Sequence, residues 1–142
     1  MGVNLKQFPD GSLGMEGKDF GEAATAYVDC RYDPNTLDQT NFVAPRQMRV
    51  VSIVGRVEVA GTDAGAVTAA VKKVASGTDI AAGTVLHSGT MNLKGTVDTN
   101  QTLTLSTTSA DLDIPSGTAI GVDITGVMTA ARGVITVGLR YA

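Results

Sequence analysis

The chain has one cysteine, one histidine and no tryptophan, and each scarcity removes a class of explanation. With Cys30 as the sole cysteine no intrachain disulfide can form, so the core must hold without covalent staples, and a reducing compartment is the natural setting. With His87 as the sole histidine there is no Cys/His cluster for a metal, and no metal or other cofactor is expected. Long hydrophobic runs are missing as well. No stretch approaches the roughly 20 apolar residues of a membrane span, and the opening M-G-V-N-L-K-Q-F-P-D-G has no apolar run of signal-peptide length. The expectation is a soluble, unexported protein with no membrane partner. Met1-Gly2 begins like a myristoylation signal, but Lys6 stands where that motif takes Ser or Thr.

Basic excess is also lacking. The formal charge is -3, and it is divided unevenly. Residues 1–47 carry Lys6, Lys18, Arg31 and Arg46 against Asp10, Glu16, Asp19, Glu22, Asp29, Asp33 and Asp38, whereas the two signs balance from residue 48 onward. No basic patch stands out on either side, which argues against nucleic acid as a partner. The few aromatics divide at the same place: Phe8, Phe20, Tyr27, Tyr32 and Phe42 come early and only Tyr141 comes late.

What the chain does have is alternation. Met48 to Val59 reads M-R-V-V-S-I-V-G-R-V-E-V and places Val51, Ile53, Gly55, Val57 and Val59 on one face at a period of two, the mark of a strand. Thr118 to Thr125 sets Ile120, Val122 and Ile124 against Ala119, Gly121 and Asp123, and Val134 to Tyr141 sets Ile135, Val137, Leu139 and Tyr141 on one face. Thr102 to Ser106 alternates with Leu103 and Leu105 inward. Ala66 to Ala75 fits a helix or a strand; its Gly-bounded ends and its place among strands favour strand. A Gly-Thr pair recurs every six residues at 77, 83, 89 and 95, which suggests a β-helix. The residues after each pair, Asp79, Val85, Met91 and Val97, repeat no inward aliphatic, so short strands near 84–86 and 90–94 joined by tight turns are expected instead.

Seven or eight short antiparallel strands separated by turns predict an all-β sandwich, an eight-stranded jelly roll in the first instance. At 142 residues one domain is expected, with about two thirds of its unfolded surface buried. Residues 1–46 show no sustained period and are broken at Pro9-Asp10-Gly11, Asp33-Pro34-Asn35 and Ala44-Pro45. They predict an N-terminal arm, extended briefly at 26–32 and 42–44, on a jelly-roll domain of residues 47–142. Its five aromatics, Phe8, Phe20, Tyr27, Tyr32 and Phe42, are candidate anchors into a partner; a solvated leader is the plainer alternative.

Chemistry is sparse. His87, in L-H-S-G-T, is expected at a turn or on the surface, and Cys30 is expected to be packed beside a strand; a Cys30/His87 nucleophile pair is the sharper reading of the two. Asp111-Leu112-Asp113 offers two carboxylates for calcium, or two side chains bonding their own turn. No catalytic constellation emerges, and an enzyme is not expected.

The run from R-V-V-S-I-V-G-R-V-E-V-A-G-T-D-A-G through S-G-T-D-I-A-A-G-T-V-L-H-S-G-T to G-V-I-T-V-G-L-R-Y resembles tailed-phage capsid decoration, or cement, proteins. The resemblance spans roughly Arg49 to Tyr141. It implies a jelly roll made in the host cytoplasm that binds the outer surface of an assembled head, with the major capsid protein as partner. It also implies a symmetric homo-oligomer, for which dimer is expected before trimer. The competing expectation is a non-catalytic carbohydrate- or receptor-binding sandwich; the body's want of aromatic platforms speaks against it.

Overall fold

The computed structural model describes residues 5–7, 13–15 and 25–142. β1 (Leu5–Gln7) and β2 (Leu13–Met15) pair as an antiparallel hairpin, Leu5 opposite Met15. The body is all-β. Its elements are β3 (Thr25–Tyr32), β4 (Asp38–Val43), β5 (Met48–Val59), β6 (Thr68–Val74), a 3-10 turn (Ile80–Ala82), β7 (Thr84–Val85), β8 (Met91–Asn92), β9 (Asn100–Thr102), the one-turn helix α1 (Ser109–Leu112), β10 (Asp113–Ile114), β11 (Ala119–Thr125) and β12 (Arg132–Tyr141).

Two antiparallel sheets face each other. One runs β3-β12-β5, with β9 and β10 lying end to end along the far side of β5; the other runs β4-β11-β6, with β7 and β8 end to end along β6. Counting each broken strand once, the sheets have four strand positions each, and the chain crosses between them in the order of an eight-stranded jelly roll. The expected fold class therefore holds.

The boundary expected at residue 47 does not. β3 pairs with β12 from Thr25–Arg140 to Tyr32–Gly133, and β4 pairs with β11 from Asp38–Asp123 to Val43–Ala119, so residues 25–43 supply the first two strands of the jelly roll. The pattern that does this is local. Ala26, Val28, Cys30 and Tyr32 alternate with Tyr27, Asp29 and Arg31, and the first set turns to the core while the second faces out.

β5 is the spine, as its alternation predicts, with two changes of register. Arg132 is opposite Val59 and Gly133 opposite Val57, so Glu58 is one extra residue. Gly138 is opposite Ser52 but Leu139 is opposite Val50, so Val51 is an extra residue on β5. This bulge turns Val50 inward with Met48 and leaves Val51 half-buried, while Ile53, Gly55 and Val57 keep the inner face beyond it. Gly55 leaves room there for the thioether end of Met91, which reaches across from the opposite sheet into the space a Cβ would take. The core is aliphatic, built on Ile53, Val57, Val71, Leu86, Met91, Leu93, Ile114, Ile120, Ile135, Val137 and Leu139.

The hexad glycines do not build a β-helix. Gly77 and Gly89 take positive φ in turns, Gly83 ends the 3-10 turn, and Gly95 closes a turn on Asn92. Each one stops a short piece of strand so that the next can restart along β6 or cross to β5.

Candidate functional site

At one end of the sandwich meet the turns β3–β4, β5–β6, β8–β9 and β11–β12. Three of the large apolar side chains that stay exposed are in these turns: Leu37 (63%), Val97 (42%) and Val127 (63%). Beside them opens a cleft of about 250 Å³ lined by Arg31, Tyr32, Asp33, Thr36, Gln39, Glu58, Arg132 and Gly133. Tyr32 and Gly133, both buried, form its floor, and the exposed Arg31, Arg132 and Glu58 form its rim. Gly133 makes room for the tyrosine, since a Cβ there would fall 2.4 Å from its hydroxyl. Arg31 and Arg132 approach Glu58 at 3.7 and 3.9 Å. On the wall, Asp33 is spent on its own turn, accepting from the Asn35 N–H at 2.8 Å and the Thr36 hydroxyl at 3.3 Å.

The five aromatics singled out from the sequence are not brought together. Phe8 and Phe20 lie outside the described residues. Tyr27 is exposed (68%) on the outer face of β3, where a surface anchor would need to be. Tyr32 is on the inner face of the same strand, 2% exposed, and Phe42 packs against the core from β4. Tyr32 and Phe42 are thus committed to this chain's own interior, because their strands belong to the sandwich.

The groups considered for catalysis are placed structurally. Cys30 is buried on β3, and burial, with Asp29 adjacent, pushes its thiol up to about 12. His87 is in the other layer, beyond β7, and bridges to Leu105 past β9. Three strand spacings separate β3 from β9, roughly 14 Å, so the two do not form a pair.

Nor is His87 a surface residue. It is 4% exposed, and its Nε2 accepts the Val71 N–H at 2.9 Å. The chain here leaves β6 to pair with the β9–β10 segment, Ser88 N–H bonding to Thr104 O and Ser106 N–H to Leu86 O, so the imidazole replaces the carbonyl that a continuous strand would have offered Val71. Nδ1 then carries the proton, 3.4 Å from the Ser88 carbonyl, and burial lowers the pKa. Only Leu86, which precedes it, hinted at this in the sequence; Leu105 meets His87 through the fold.

Asp111 and Asp113 diverge: the first accepts from the Ser106 hydroxyl at 2.6 Å, and the second pairs with Arg49. Among the described residues no three His, Cys, Asp or Glu side chains group closely enough to hold a metal, and no helix is long and apolar enough to cross a membrane. A pairing the sequence does not suggest joins Asp38, Asp123 and Lys72 on the outer face of the second sheet. The hydrogen bond to Asp123, with burial, raises the Asp38 pKa; burial would also raise Asp123, but Lys72, at 2.5 Å, and Asp38 bring it below the usual range.

No protein-family model matches this sequence, and no curated protein sequence matches it. In fold it resembles a phage capsid chain. The match is to a chain of the cyanophage Pam1 capsid asymmetric unit, with a TM-score of 0.52 at 16% identity, covering 84% of this chain and 84% of that one. At that identity the likeness is one of fold.

Proposed function

We propose that this protein is a structural capsid decoration protein, which binds the outer surface of an assembled phage head and stabilises it by bridging neighbouring capsomers. The observation that carries the reading is the fold shared with the cyanophage capsid chain over 84% of both lengths. The placement of Cys30 and His87 as packing and sheet-completing groups supports a non-catalytic role. The partner is the major capsid protein, met through the end that exposes Leu37, Val97 and Val127. Residues 1–24 act as a grip, with Phe8 and Phe20 as anchors and Tyr27 at the foot of the arm. With β1 and β2 paired as a hairpin, residues 16–24 could carry that hairpin at most about 30 Å from β3, at about 3.3 Å per residue, toward an adjacent subunit. The outer edges β3 and β4 favour a symmetric homo-oligomer, dimer before trimer.

The test is the heat resistance of assembled phage heads that the protein is proposed to decorate. With this protein added, the temperature of head disruption rises; an unchanged temperature at saturating protein removes the stabilising role.

A further inference from the structure

The cleft at the end of β3 holds an unsatisfied group. The Tyr32 hydroxyl, buried at its floor, has no hydrogen-bond partner among the described residues. A buried hydroxyl left unpaired is costly, so it marks a place where an acceptor is wanted. Around it stand two guanidiniums, of Arg31 and Arg132, and two carboxylates, of Glu58 and Asp33. Arg31 and Arg132 stand 3.7 and 3.9 Å from Glu58, beyond hydrogen-bonding distance, so their exposed N–H groups bond to water and are free to exchange it for a ligand. The Thr36 hydroxyl and one Asp33 oxygen are already engaged with each other. An acceptor-rich group of small volume fits this set.

We propose that the cleft is a carboxylate-binding site, in which Arg31 and Arg132 bind the two oxygens and the Tyr32 hydroxyl donates to one of them. A bound carboxylate between the two guanidiniums would be the third in the cleft after Glu58 and Asp33, and it gives both arginines charge-assisted hydrogen bonds in place of loose ion pairs. The volume of about 250 Å³ admits the end of an Asp or Glu side chain, or a small free acid. The site rests on this chain's own geometry and stands whether or not the protein decorates capsids.

The test is NMR titration of the full isotope-labelled chain with acetate, with the neutral isostere acetamide, and with a capped Gly-Glu-Gly peptide, at constant ionic strength. Saturable shifts at Gly133 and at the Arg31 and Arg132 side chains are expected with acetate and with the peptide but not with acetamide. Saturation by acetate with no response to the peptide assigns the site to free acids; saturation by both assigns it to carboxylate side chains of a protein. The double variant Arg31→Gln/Arg132→Gln should lose saturation, and Tyr32→Phe should weaken binding about tenfold. Tyr32→Phe is expected to fold normally, because it removes the unpaired hydroxyl and keeps the ring. Equal shifts with acetamide, no saturation with either acid, or undiminished binding by the double arginine variant would overturn the proposal.

Discussion

At His87 a single side chain does the work of a strand. Replacing it by alanine leaves the Val71 N–H unpaired within the sheet and opens a void beside Leu86 and Leu105, so a loss of about 1 to 3 kcal/mol is expected in chemical denaturation. The same residue sets an acid limit. Its folded pKa lies below the ordinary 6.5, so the unfolded chain takes up the proton first; the stability it contributes is present above about pH 6.5 and is lost as pH falls. The His87→Ala variant should therefore show a flatter stability profile between pH 7 and 5 than the parent, and an identical slope would contradict the buried neutral imidazole. Cys30 and Tyr32 set an alkaline limit in the opposite sense. Both have folded pKa values raised to about 12, from 9.0 and 10.0, chiefly by burial. Stability is complete below those ordinary values and falls as pH rises toward 12, by about 1.4 kcal/mol per pH unit for each group. In the same terms, thiol reagents at pH 8 should label Cys30 only in denaturant; rapid labelling of the native protein would contradict its placement.

At the scale of elements, the first two jelly-roll strands decide where the chain can be cut. Removing residues 1–24 leaves both sheets whole, and the truncated chain should fold with stability close to that of the full chain. Removing residues 1–40 deletes all of β3 and half of β4, stripping one edge from each sheet and exposing Ile135, Val137, Ile120 and Val122; no cooperative unfolding transition is expected. A stable 41–142 fragment would contradict the topology. β5, β11 and β12 were legible in the sequence because each has at least three aliphatics at a period of two. β3 was less so because its inward set, Ala26, Val28, Cys30 and Tyr32, mixes sizes and polarities and sits among Pro and Gly breaks. The bulge at Val51 was not legible at all: both Val50 and Val51 suit an inner face, and only the register against β12 chooses between them. The cleft was hidden for a similar reason, since it joins residues 31–39, 58 and 132–133 that only the pairing of β3, β5 and β12 brings together.

For the whole molecule, the aliphatic sandwich has two outer-edge strands, one cleft-bearing end with exposed Leu37, Val97 and Val127, and separate apolar exposures at Tyr27 on β3 and Val43 on β4. That distribution suits a protein that joins several neighbours better than one that encloses a substrate. The proposed capsid decoration is tested most directly by titrating purified protein onto assembled heads, with bound copies counted by sedimentation. Saturation at a fixed copy number matching the rotational symmetry of the shell is expected; no binding, or a bound amount that rises without a plateau, would rule decoration out.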